Sequence, residues 1–376
     1  MGQTSQKSRC RLAGLGRLTA LALIAACALA SPAAAKAPRS FFGAVPQTTL
    51  SQTDFERMGE AGVATLRLPL YWYIAQPSDT VTDFAQFDSL VRPAAKNGIT
   101  VLPFLYGTPG WVAEGIDHRN CAADCLLYPP KNQSARAAWK AFARKAAARY
   151  GPNGAFWSEN PGVPKRPIRS WQIWNEQNSK TFYKPKPDPG EYAKLLADAA
   201  SGIHGADRKA DIILGGMFGV PGGNGDSRSV AAATYLRNLY KVKGVKSDFN
   251  GIALHPYSRL LKSVEKQVLL SRKELQRARD SKTDLWITEI GWASGGSDNP
   301  LNLGSTKAQA KQLTAAYKMF LANRKRWHVR SVEWFAWRDA HDADDVCFFC
   351  SEAGLLSESG QAKPALGAYR RVAHKR

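Results

Sequence analysis

The chain has 376 residues, with 52 Lys+Arg against 31 Asp+Glu, a net charge of +21, 44% hydrophobic residues, 11 Trp and 6 Cys. That apolar share excludes an intrinsically disordered chain, and the basic residues are scattered over segments such as Arg272 to Lys282 rather than gathered into a nucleic-acid arm. Positive charge of this kind favours anionic surfaces and polymers, or serves only as a solvated basic surface, and does not by itself identify a partner.

Residues 1–35 read as a secretory leader. Lys7, Arg9, Arg11 and Arg17 precede an apolar core from Leu18 to Ala30, and Ala33-Ala34-Ala35 offers a small-residue cleavage site. The core is shorter than the roughly 20 residues that span a bilayer, and no later stretch qualifies, so the expectation is export with cleavage rather than an uncleaved anchor. The mature chain, 36–376, then begins near Lys36, and losing four leader cations from +21 leaves about +17. Cys10 and Cys27 go with the leader. Cys121, Cys125, Cys347 and Cys350 remain, an even number in a chain bound for an oxidising compartment. Three pairings are possible; the two local ones are favoured, with a four-thiolate zinc site as the alternative.

Eight apolar, β-branched or aromatic runs follow as candidate strands: Phe41 to Val45, Val63 to Leu70, Ile99 to Tyr106, Ile168 to Asn175, Ile212 to Met217, Phe249 to His255, Leu285 to Glu289 and Val329 to Trp337. Between them lie stripes at helical spacing, among them Trp139, Phe142, Ala146 and Tyr150; Tyr192, Leu195, Leu196, Ala199 and Ile203; and Ala310, Leu313, Tyr317, Phe320 and Leu321. Strands alternating with helices demand parallel pairing, and eight such units close into a single (β/α)8 barrel, an α/β fold. An open doubly wound sheet fits the alternation too, but no glycine-rich phosphate cradle follows the first strand. Gly215-Gly216 and Gly222-Gly223-Asn224-Gly225 read as a flexible loop after strand five. Long loops are expected at Gly107 to Gln133, Gly151 to Pro167 and Arg338 to Glu358.

Two glutamates each close or interrupt a tryptophan-rich apolar run, Trp171-Gln172-Ile173-Trp174-Asn175-Glu176 and Leu285-Trp286-Ile287-Thr288-Glu289-Ile290-Gly291-Trp292. Burying carboxylates is costly, so a pair at the ends of strands four and seven, on the face where such barrels carry their chemistry, marks a site. Two carboxyl groups across one cavity suit glycosidic bond cleavage. Trp174 and Trp171 are expected as apolar walls that raise the pKa of one carboxyl, while a cation keeps the other charged. Arg67 is the candidate cation: Leu66, Leu68 and Leu70 share one face of strand two, which turns Arg67 into the barrel, where only a carboxylate partner makes its burial tolerable.

These features resemble the retaining glycoside hydrolases of clan A, and the resemblance spans the whole mature chain. Thr108-Pro109-Gly110-Trp111 is similar to the Thr-Pro-x-Trp element of the family 39, β-xylosidase-type hydrolases and their exopolysaccharide-cleaving relatives. The resemblance implies Glu176 as acid/base, Asn175 as a partner of the sugar 2-hydroxyl and Glu289 as nucleophile. It also implies substrate contact by His255 and Tyr257 after strand six, and a sugar floor at Trp337, with Trp111 and Trp292 as neighbouring platforms. Gln177 replaces the proline that commonly follows Asn-Glu, and Tyr106 with Gly107 replaces a histidine after strand three. Asp339, His341, Asp342, Asp344 and Asp345 are read as an exposed acidic loop rather than a calcium site.

The expected function is a secreted or cell-envelope glycosidase acting on β-linked oligo- or polysaccharide, with no cofactor, no metal, no nucleic-acid partner and no transmembrane segment after cleavage. A transglycosylase using the same site and a silent glycan-binding barrel are the alternatives. The sugar, the linkage and the oligomeric state are not legible in the sequence.

Overall fold

Alternation on the second strand shows how the residues build the barrel. Over Thr65–Tyr71 (β2), Leu66, Leu68 and Leu70 are buried among the surrounding helices, and Arg67 projects inward to side chains of other strands. The computed structural model describes residues 36–219, 230–340 and 350–375, and seven more strands join β2 there. These are Phe42–Val45 (β1), Thr100–Tyr106 (β3), Ser170–Asn175 (β4), Asp211–Phe218 (β5), Gly251–His255 (β6), Asp284–Ile290 (β7) and Val329–Phe335 (β8). Each pairs in parallel with the next and β8 closes on β1, so the fold is a (β/α)8 barrel and residues 37–376 form one compact unit.

The helical stripes sit where their spacing puts them. Trp139, Phe142, Ala146 and Tyr150 are buried on the helix Gln133–Tyr150, and Tyr192, Leu195, Leu196, Ala199 and Ile203 on the helix Pro189–His204. The barrel interior is filled in layers. Leu102, Ile213, Ala253 and Trp286 form one apolar plug; two residues further along β3, Phe104 lies 4.2 Å beneath the Arg67 guanidinium.

Three expectations change. β8 ends at Phe335, two residues before Trp337. Gly215 and Gly216 lie inside β5 and not in a loop: a Cβ at Gly216 would fall 1.9 Å from Nε2 of His255, so the missing side chain provides clearance for that ring. Asp339 is buried, accepting from Lys363 Nζ at 3.0 Å and from the Gly354 amide, so it is a structural anchor and not part of an exposed acidic loop. The leader, the cluster Gly222-Gly223-Asn224-Gly225, His341, Asp342, Asp344, Asp345, Cys347 and the side chain of Cys350 lie outside the described residues. Cys121 and Cys125 are joined by a disulfide, S–S 2.04 Å, which removes both thiolates from any zinc site. Among the described residues no helix is long and apolar enough to cross a membrane.

Candidate active site

The end of β4 departs from ordinary strand geometry. Trp174 and Glu176 both adopt the left-handed region, with φ of 71° and 43°, a conformation that costs non-glycine residues about 1–3 kcal/mol each and persists only where surroundings enforce it. Here the Trp174 indole donates to the Phe182 carbonyl at 2.8 Å, Gln172 Nε2 donates to the Trp174 carbonyl at 3.0 Å, and the Glu176 amide donates to Gly216 O at 2.9 Å. The bend turns Asn175 toward Arg67 and Glu176 toward His255. On the other side, the register of β7 shifts between Ile287 and Ile290, and two consecutive side chains, Thr288 and Glu289, both reach interior partners.

Arg67 organises the polar floor. Its Nη1 donates to Glu289 Oε1 at 2.6 Å, its Nη2 to Asn175 Oδ1 at 2.7 Å and its Nε to Gln172 Oε1 at 3.0 Å. Tyr257 Oη donates to the other oxygen of Glu289 at 2.8 Å. His255 stands between the carboxylates, its Nδ1 at 2.8 Å from Glu176 Oε1 and 3.4 Å from Glu289 Oε2, and its Nε2 at 3.0 Å from Thr288 Oγ1. One oxygen of each glutamate and a ring nitrogen of His255 lie within 4.8 Å of one another. Glu176, His255 and Glu289 would also suit a divalent ion as donors, but Arg67 already sets a full positive charge on Glu289, which opposes a second cation there.

The electrostatics separate the two carboxyls. Burial drives Glu176 well above the usual carboxylate range, the Glu289 charge pushes it further up, and Arg67 pulls back. Burial also raises Glu289, but Arg67 and the Tyr257 hydroxyl oppose that rise directly. The pair therefore holds its shared proton on Glu176 and its charge on Glu289. Burial, with Arg67 adding to it, lowers His255 far enough to keep it neutral.

Of the residues singled out in the sequence, Arg67, Asn175, Glu176, His255, Tyr257 and Glu289 meet in one hydrogen-bonded cluster. Tyr106 stands at its edge, its ring 4.7 Å from Trp174 and its hydroxyl near the Phe182 carbonyl. Trp337 is not part of it: it is fully buried and its indole donates to Asp54 Oδ1 at 2.9 Å, on the helix Gln52–Ala61. Trp292 is likewise fully buried, tilted against Trp334 with ring centroids 5.9 Å apart and bonded to the Ser258 carbonyl, so it offers no platform. Trp111 is half-buried, edge-on to Trp72 and bonded to the Gln76 carbonyl. Trp171, out of step with inward Gln172, packs in the outer core and is no wall of the acid.

Sequence reasoning missed Gln172, Thr288, Gly216 and Phe335. The Phe335 ring meets Tyr257 edge-on at 6.1 Å, and it shares the inward parity of Glu333. Counting alternation back from the strand end would have found it, had the strand not been drawn through to Trp337.

No family model matches the sequence, and no curated protein matches it. Solved structures do. A family 39 glycoside hydrolase from Bacteroides cellulosilyticus superposes with a TM-score of 0.62 at 20% identity, over 90% of this chain and 64% of that one. A β-xylosidase from Caulobacter crescentus gives 0.61 at 18% identity, over 90% and 69%. Xylanase 10B from Thermotoga maritima gives 0.58 at 17%, over 90% and 95%. The chain thus spans a little under two thirds of the first of these and nearly all of the xylanase. At these identities the likeness establishes the barrel, and the chemistry has to be argued from the site.

Proposed function

We propose that this protein is a retaining glycoside hydrolase that cleaves β-linked oligo- or polysaccharide. The observation that carries the reading is the pair Glu176 and Glu289, buried within 4.8 Å of each other and made unequal by Arg67. Retaining enzymes hold their carboxyls roughly 5–5.5 Å apart, one protonated and one ionised, and inverting enzymes need a wider gap for water. Glu289 attacks the anomeric carbon, and the glycosidic C–O bond breaks as Glu176 passes its proton to the leaving oxygen. Water then enters, Glu176 takes a proton from it, and the glycosyl ester on Glu289 is cleaved with the anomeric configuration restored. Asn175, oriented by Arg67 through its Oδ1, keeps its amide donors for a sugar hydroxyl. The solved structures that resemble the chain include a xylanase and a β-xylosidase, which supports a β-linked substrate.

Export belongs to the same proposal: the leader-like residues 1–35 and the Cys121–Cys125 disulfide both suit an oxidising, extracytoplasmic setting. The test is a panel of 2-deoxy-2-fluoro glycosides with activated leaving groups. Stoichiometric trapping with the label on Glu289 is the expected result; labelling at any other residue, or inversion at the anomeric centre of a turned-over substrate, refutes it.

A further inference from the structure

His255 is enclosed on every side. Its Nδ1 faces Glu176 Oε1 at 2.8 Å and Glu289 Oε2 at 3.4 Å; its Nε2 faces Thr288 Oγ1 at 3.0 Å; Gly216 of β5 closes the Nε2 edge so tightly that a Cβ there would fall 1.9 Å away. Tyr257 lies edge-on at 6.3 Å, and the positive charge of Arg67 disfavours an imidazolium. Glu289 Oε2, which carries the charge of the pair, faces Nδ1 at 3.4 Å and would repel a lone pair there, whereas an N–H satisfies it and Glu176 Oε1 together, so Nδ1 carries the hydrogen. Nε2 is then a buried acceptor, and such a group needs a donor. Among the described residues only the Thr288 hydroxyl supplies one, and this is the sole hydrogen bond of that hydroxyl.

We propose that Thr288 is a positioning residue that fixes the Nδ1–H tautomer of His255, and through it holds Glu176 with Oε1 occupied and Oε2 free for the exchangeable proton. The proposal rests on the glycosidase reading and adds to it which oxygen does the work. Nδ1–H donates to Glu176 Oε1, so the acidic proton sits on Oε2. In the first step that proton goes to the leaving oxygen as Glu289 bonds to the anomeric carbon. In the second step Oε2 takes a proton from the attacking water as the Glu289 ester breaks, and His255 keeps its own proton throughout. Thr288 shares the inward parity of Trp286, and the register slip of β7 brings Glu289 in beside it.

The experiment uses protein containing isotopically labelled histidine and reads the His255 tautomer by proton–nitrogen correlation, with His255→Asn to assign the signal. Wild type is expected to show Nδ1–H. Thr288→Val, which keeps the shape and removes the donor, is expected to lose the single Nδ1–H pattern. It should also lower kcat/KM on a glycoside with a poor leaving group by about tenfold and move the alkaline limb to higher pH, because the Glu176 carboxylate loses its N–H donor. Thr288→Ser restores the hydroxyl and should restore all three. An Nε2–H signal in wild type overturns the proposal, as does a Thr288→Val protein with unchanged tautomer and pH profile. So does a Thr288→Ser protein as impaired as Thr288→Val, since the methyl would then be what matters. The tautomer measurement needs no turnover, so failure of wild type on every glycoside would sink the functional reading and leave this result to be judged separately.

Discussion

Replacing Arg67 by Met removes the cation that keeps Glu289 ionised. The guanidinium touches the carboxylate at 2.6 Å, and both groups are buried. With charge centres about 4 Å apart and an effective dielectric of about 20, the lost attraction is about 4 kcal/mol, which corresponds to about 3 pK units. A group whose charged form loses that support titrates higher, so the acid limb of kcat/KM, set by ionisation of the nucleophile, should climb by about 2–3 units. Well below the wild-type limb the loss should approach about 10²- to 10³-fold, with recovery as pH rises through the shifted limb. The variant also leaves Gln172 Oε1 and Asn175 Oδ1 without their donor, so a rise in KM should accompany the shift. The assay is a pH profile of kcat/KM on an aryl glycoside, with thermal unfolding recorded alongside. A folded Arg67→Met protein whose acid limb stays at the wild-type position would refute this account of how the two carboxyls are made unequal.

Two further outcomes concern residues away from the reacting atoms. Glu333, on β8 inside the barrel, has neither carboxyl oxygen in a well-formed hydrogen bond among the described residues, and burial pushes it up to about 8 against weaker pulls from Ser331 and Arg67. In the unfolded chain it ionises near the ordinary carboxylate value, so its contribution to stability is fully present at low pH and fades as pH rises from about 4.5 through about 8; urea unfolding at pH 5 and pH 8 should show a decline that Glu333→Gln flattens by about 3–4 kcal/mol, most of the full shift at 1.36 kcal/mol per unit. Trp337→Phe should lower stability by about 1 kcal/mol, because Asp54 loses one of several donors, and should leave KM unchanged; a raised KM would return Trp337 to the sugar site.

The barrel and the paired glutamates were legible because both follow from short-range pattern. Period-two alternation turned Arg67 inward, and the placement of Glu176 and Glu289 at strand ends implied a shared cavity. What was hidden depends on partners far along the chain. Gly216 read as flexibility since a missing side chain carries no sign of what fills the space, and here the occupant comes from β6. Asp339 read as solvent-facing because its partner Lys363 lies 24 residues further on. Trp337 was expected at the sugar site through the resemblance, yet β8 stops two residues short of it and its indole bonds to Asp54 of the helix Gln52–Ala61.

One position on the first strand limits how this interior can vary. A Cβ at Gly43 would come within 2.6 Å of the Glu333 Cγ and 3.0 Å of the Thr65 carbonyl. Opposite neighbours on β1 and β8 are therefore a matched pair: the contact is with Cγ, which aspartate shares with glutamate, so a methyl at 43 needs a residue without Cγ at 333, or a turned side chain there, and some give at the Thr65 carbonyl as well. Descendants or designs of this barrel would cross that point by exchanging both residues together, with the carboxyl at 333 given up first.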